Sequence, residues 1–133
     1  MSVTRTAINP VSWSQELGFN QGELLEGQSR TLYISGQTAM SAEGTPLHDG
    51  DMAAQLALSL DNVESVLAAS GMSLANLVRL NVYTTDVDGL FPHYGVLASR
   101  LGAAGAAPAT TMLGVNRLAV PGQLVELEGT AVA

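Results

Sequence analysis

Glu126 and Glu128 stand two apart in the run Leu124-Val125-Glu126-Leu127-Glu128. On a strand, residues two apart share a face, so both carboxylates point one way while Val125 and Leu127 point the other. Two carboxylates on one sheet face ordinarily form a solvated surface. Covered by another subunit, such a carboxyl becomes useful as a general acid or base. Ser35-Gly36 closes the apolar run Leu32-Tyr33-Ile34. A strand ending there frees backbone N–H groups that can cradle developing negative charge. The remaining reactive types offer less. His48, in a loop beside Asp49, and His93, on a helix, are the only histidines. Neither His-x-His nor His-x-x-x-His spacing occurs, so no metal is expected. The absence of cysteine removes thiolate nucleophiles, Cys-ligated zinc and disulfides. No Gly-x-Ser-x-Gly elbow presents a serine, and Gly102 and Gly105 follow a helix rather than opening one as a phosphate loop would.

These groups need elements to hold them. Met52, Leu56, Leu60, Val63 and Leu67 recur at spacings of four and three, which predicts a helix with Asp51 as N-cap and Gly71 at its end. A second helix is predicted over about Asp88 to Leu101, with Leu90, Tyr94, Leu97 and Leu101 on one face and Pro92 in its first turn. Val78 to Thr84 and Leu124 to Val132 alternate in the manner of half-buried strands. Thr111 to Val115 is β-compatible, and Leu32 to Ser35 is short and apolar. Val3 to Ile8 and Phe19 to Leu25 are expected to pair as an opening hairpin. The order is β-β-β-α-β-α-β-β, an α+β class with two helices on one face of a single mixed sheet.

The chain has 133 residues, enough for one domain spanning 1–133, with 47% hydrophobic and only 13% charged residues. Its formal charge is −7, and all five basic residues are scattered arginines. Phosphate contacts need clustered Lys and Arg, so nucleic acid is not an expected partner. No run reaches the length of a membrane span, and the N-terminus lacks the apolar core of a signal peptide. A soluble cytoplasmic domain is the expectation. So few charges on so apolar a chain point either to surface hidden in an oligomer or to a monomer with an ordinary apolar surface.

Several stretches then carry a resemblance. Leu32-Tyr33-Ile34-Ser35-Gly36-Gln37 is similar to the "hydrophobic-Ser-Gly-Gln" strand of the RidA/YjgF family of imine deaminases. Gln55 with Leu60-Asp61-Asn62-Val63, and Leu67 through Leu74, resemble its first helix; Val78 through Asp86 resembles its central strand. Pro108-Ala109-Thr110-Thr111 and Leu124 through Glu128 resemble its closing hairpin. The resemblance implies a chorismate-mutase-like α+β fold, a homotrimer with pockets at the three subunit interfaces, and hydrolysis of imines or enamines without cofactor. In that family an arginine holds the substrate carboxylate and a glutamate positions or activates water.

Position by position, Ser35 and Gly36 match the Ser-Gly element, and Glu126 matches the glutamate. The family's arginine falls on Thr110, its N-terminal tyrosine on Phe19, and the asparagine opening its second helix on Phe91. Threonine cannot replace a bidentate guanidinium, and losing such an anchor forfeits about 2–5 kcal/mol when the partner charge is buried. Arg117, seven residues beyond Thr110, is not expected to substitute. The expectation is therefore a branch acting on a small, largely uncharged substrate, with weak or absent 2-imino acid deaminase activity. Glu126 would be the acid/base, and backbone donors near Ser35-Gly36 and Thr110-Thr111 would stabilise negative charge. Phe19, Trp13 and Phe91 would serve as walls. A non-catalytic metabolite-binding or scaffold trimer is the alternative; ribonuclease activity, attributed to some relatives, is disfavoured by the acidic charge.

Overall fold

In the computed structural model, which describes residues 3–133, the opening hairpin forms as the alternation predicts. Strand β1 (Thr4–Ile8) pairs antiparallel with β2 (Gly22–Glu26), and a four-residue turn of helix, α1 (Trp13–Glu16), lies between them. No periodicity announces α1, because four residues make barely one turn. The hairpin pairs as its own two-stranded ladder rather than extending the main sheet. Side chains tether it instead: the Arg5 guanidinium donates to Glu23 and to the Leu77 carbonyl, each at 2.9 Å.

The mixed sheet has four strands in the order β3-β6-β4-β5. These are β3 (Thr31–Gln37), β4 (Leu77–Thr84), β5 (Ala109–Gly114) and β6 (Val125–Val132). β6 runs antiparallel to both β3 and β4, while β4 and β5 are parallel. Helix α2 (Met52–Ala69) starts where Asp51 caps it, its carboxylate accepting from the Ala54 N–H at 3.1 Å, and ends before Gly71, whose φ is +76°. The second predicted helix is broken. Asp86 caps a single turn, α3 (Val87–Leu90); a 3-10 turn follows at Phe91–His93; then α4 (Tyr94–Ala103) completes the element. Pro92, which has no N–H to give an α-helical ladder, sits inside that 3-10 turn.

The predicted apolar stripes meet on one face of the sheet. Leu56, Leu60, Val63 and Leu67 of α2 and Leu97 and Leu101 of α4 pack with Leu80, Val82, Val125 and Leu127 of the sheet. Each fully buried side chain of this kind contributes about 1.5–3 kcal/mol. The other face of the sheet carries no helix among the described residues. Asn81, Tyr83, Glu126 and Glu128 lie on it, as does Tyr33, which is 79% exposed.

Two loops are fastened beneath this framework by one buried amide. Gln55 donates from Nε2 to the His48 and Gly122 carbonyls, both at 2.9 Å, and accepts at Oε1 from the Leu124 N–H at 2.7 Å. This fixes the entry to β6, and with it the position of Glu126.

Candidate functional site

The two glutamates share a face, as their spacing requires, yet they do different work. Glu128 is committed: it accepts from Asn81 Nδ2 at 3.0 Å and from the Tyr83 hydroxyl. That hydrogen bond, with burial and the charge of Glu128 behind it, raises Tyr83 above the ordinary tyrosine value. Glu126, the cross-strand partner of Tyr83, has no side-chain hydrogen bond among the described residues. Of the pair, Glu126 is therefore the carboxylate left free for other chemistry.

Its position is set by a glycine ninety residues earlier. Ile34 pairs with Gly129 and Gln37 with Leu127, so Ser35 and Gly36 together stand opposite the single Glu128. This is a β-bulge, and it corrects the expectation that the strand ends at Ser35-Gly36: β3 continues to Gln37. The Glu126 carboxylate lies directly over Gly36. A Cβ added there would fall 1.8 Å from Glu126 Oε2 and 2.7 Å from its Cδ. Gly36 is required by that close approach, not by a positive φ. Ser35 and Gly36 are both exposed beside the carboxylate.

A second group of expected residues gathers elsewhere. Phe19, Phe91 and Thr110 line one cavity of about 360 Å³ together with Trp13, Leu17, Tyr94 and Met112. Trp13 meets Phe19 edge-to-face, ring centres 5.9 Å apart at 81°. The Thr110 hydroxyl donates to the Pro108 carbonyl at 2.8 Å. Tyr94 packs against the core, as its place on the helical stripe predicts, and it also forms a wall of this cavity, which the stripe alone does not show. The signal was its spacing of three from Phe91, which puts both on one side of the turn. Burial raises the Tyr94 phenol, keeping it protonated and a donor.

Thr110 and Thr111 do not act together. Thr110 pairs with Leu80 and faces the helix side, whereas Thr111 pairs with Asn81 and accepts from Arg79 at 2.7 Å on the opposite face. Glu126, on that opposite face, is likewise not among the residues lining the cavity. Within one chain, then, the expected site is divided: Ser35, Gly36 and Glu126 form one cluster, and Phe19, Phe91 and Thr110 another. Arg117 lines a different cavity, of about 340 Å³, with residues of the loop before β6. His48 and His93 lie on separate segments, and the His48 carbonyl is held by Gln55.

A mixed sheet with helices on one face, and a glutamate packed over a Ser-Gly bulge, define an α+β domain with one free carboxylate on its open face. The chain belongs to the family described as Endoribonuclease L-PSP, the YjgF/RidA family, whose model matches residues 16–133. It is 32% identical to Protein DfrA of Myxococcus xanthus over 127 residues, covering 96% of this chain and 88% of that protein. It is 30% identical to a human 2-iminobutanoate/2-iminopropanoate deaminase over 88 residues, covering 65% of this chain and 62% of that one. Among solved structures, YyfB of Yersinia pestis, a Rid-family protein of unknown function, matches with a TM-score of 0.84. Its identity is 34%, over 97% of this chain and 98% of that one.

Proposed function

We propose that this chain is a hydrolase of the imine or enamine type, acting without cofactor on a small, largely uncharged substrate, with weak or absent activity on 2-imino acids. The observation that carries this reading is the chemistry of the cavity around Thr110. The seven residues that this chain contributes to it include no cation, so within one chain a substrate carboxylate has nothing there to pair with. Glu126, free of partners and held over Gly36, is the acid/base in this reading.

The reaction consumes only water. The Glu126 carboxylate takes a proton from water as the water oxygen bonds to the imine carbon, and passes that proton to the nitrogen. The resulting carbinolamine collapses when its hydroxyl proton moves through Glu126 to nitrogen; the C–N bond breaks, ammonia leaves and a carbonyl remains. In this reading, backbone donors at the Ser35-Gly36 bulge would stabilise charge on the addition intermediate.

Because Glu126 and the cavity lie on opposite faces of one sheet, the reading requires a second copy to bring them together. Support comes from the open edges of β3 and β5 and the helix-free sheet face with its exposed Tyr33 and Leu113. We propose the homotrimer, which sedimentation velocity tests by mass. One observation favours a second reading, a metabolite-binding or scaffold trimer: no carboxylate or imidazole of this chain lines the cavity itself. Glu126→Gln separates the two. In an enzyme it cuts turnover by about 10²–10⁴-fold while ligand affinity holds; in a binder there is no turnover to lose.

A further inference from the structure

Four of the five arginines are engaged within the fold. Arg5 pairs with Glu23, Arg30 donates to the Ser70 carbonyl, Arg79 donates to Thr111, and Arg100 bridges to Asp61 and Glu64. Arg117 makes no hydrogen bond or ion pair among the described residues, and it lines a cavity of about 340 Å³. With 12 acidic residues against 5 basic in the chain, a guanidinium left without a partner is the exception.

The cavity lies past the ends of the strands. Thr85 follows β4, and all its other lining residues belong to the connection 116–124 between β5 and β6. None of them belongs to the sheet face or the edge strands through which copies of the chain are proposed to meet. Leu118, Val120 and Leu124 are half-buried, whereas Thr85, Asn116 and Arg117 are exposed. The inner lining is thus apolar, and the outer lining carries hydrogen-bonding groups and one positive charge. No carboxylate lines the cavity. The two acidic residues near it are turned elsewhere: Asp49 packs over Gly122, and Asp86 accepts from the Gly89 N–H at 2.9 Å.

The walls are also held in place before any ligand arrives. The Thr84 hydroxyl donates to the Leu124 carbonyl at 2.7 Å, and Gln55 holds the Leu124 N–H and the Gly122 carbonyl. Gln123 accepts from the Ala39 N–H at 2.8 Å, which ties the same connection to the loop after β3. A ligand entering a cavity fastened in this way has little protein left to order.

We infer that this cavity binds a small carboxylate with a compact apolar body, its charge paired with Arg117 and its body against Leu118, Val120 and Leu124. A neutral molecule of the same shape forgoes the charge-assisted bond to the guanidinium. An inorganic anion forgoes the apolar wall. The site shares no residue with the Thr110 cavity or with Glu126, so it stands apart from the hydrolase reading.

The whole protein, isotope-labelled, is titrated with isovalerate, isovaleramide and inorganic phosphate at physiological ionic strength, following backbone and guanidinium N–H resonances. Isovalerate is expected to shift Thr85, the 116–124 connection and the Arg117 Nε–H saturably. Its apparent affinity should be at least about tenfold tighter than that of isovaleramide or phosphate. Arg117→Gln, at an exposed position, should weaken isovalerate about tenfold while leaving isovaleramide unchanged. Equal affinity for isovaleramide shows that Arg117 contributes nothing and overturns the inference. Equal affinity for phosphate shows a surface guanidinium that attracts any anion, and overturns it as well. So does a saturable shift centred away from these residues, or none at all. The comparison of acid with amide is made on the wild-type protein, so the result does not depend on the variant folding.

Discussion

Gly36→Ala tests whether the position of Glu126 matters, without altering any ionisable group. The added methyl would sit 1.8 Å from Oε2, 2.7 Å from Cδ and 3.1 Å from Cγ of Glu126. All three atoms belong to a flexible side chain, so the carboxylate swings aside while the backbone stays. That movement breaks no side-chain hydrogen bond, because Glu126 makes none among the described residues, and φ at Gly36 is not positive. The stability cost is that of an unfavourable rotamer, about 0.5–1.5 kcal/mol, or a fall of a few degrees in Tm for a chain this size. Catalysis should suffer far more, since displacing a reacting group by about 1 Å costs on the order of 10²-fold. The assay is loss of C=N absorbance from a neutral aryl ketimine above its spontaneous hydrolysis, set beside thermal unfolding of the same sample. Gly36→Ala combined with Glu126→Gln should be no worse than Glu126→Gln alone, because both remove the same group. A folded Gly36→Ala protein with undiminished ketimine hydrolysis would refute the reasoning.

The other groups yield expectations of their own. Gln55→Leu strands three backbone groups that Gln55 now satisfies and should cost about 3 kcal/mol in urea unfolding; a loss below about 1 kcal/mol would mean water takes over those bonds. Tyr83 is raised above 10.0, chiefly by its hydrogen bond to Glu128. A raised folded-state value favours the neutral phenol, so the contribution of Tyr83 is fully present below pH 10 and disappears as pH climbs through the folded value. Phenolate absorbance should therefore show late-titrating tyrosine, Tyr83→Phe should remove part of it, and Glu128→Gln should bring Tyr83 back toward its ordinary range. Salt-sensitive capture of RNA at physiological ionic strength, set against the acidic charge, should be absent.

Much of this architecture is legible in local pattern. The four-and-three spacing from Met52 to Leu67 and the alternation of Val78 to Thr84 and Leu124 to Val132 each state which side faces inward, and the buried stripes agree. What escaped depends on distant partners. The bulge at Ser35-Gly36 exists against β6 and makes room for Glu126, so no window around Gly36 could reveal it. The break at Phe91–His93 hides inside one apolar stripe because Leu90, Leu97 and Leu101 remain in phase for burial on either side of it. The grouping of Thr110 with Thr111 overlooked the period of two that had placed Glu126 and Glu128 together. The spacing of Tyr94 accounts for its packing against the core; its second role as a wall emerges only once Trp13 and Phe19 are brought across from the hairpin connection.

The central claim is that a cavity with Thr110 in place of a guanidinium serves an uncharged substrate. It is tested most directly by keto-acid release from a 2-imino acid that an amino-acid oxidase generates in situ, with the wild-type protein and Thr110→Arg side by side. The account predicts little acceleration by the wild type and a gain in Thr110→Arg, since a buried guanidinium–carboxylate pair is worth about 2–5 kcal/mol. Rapid keto-acid release by the wild type, matching or exceeding that of Thr110→Arg, would contradict it.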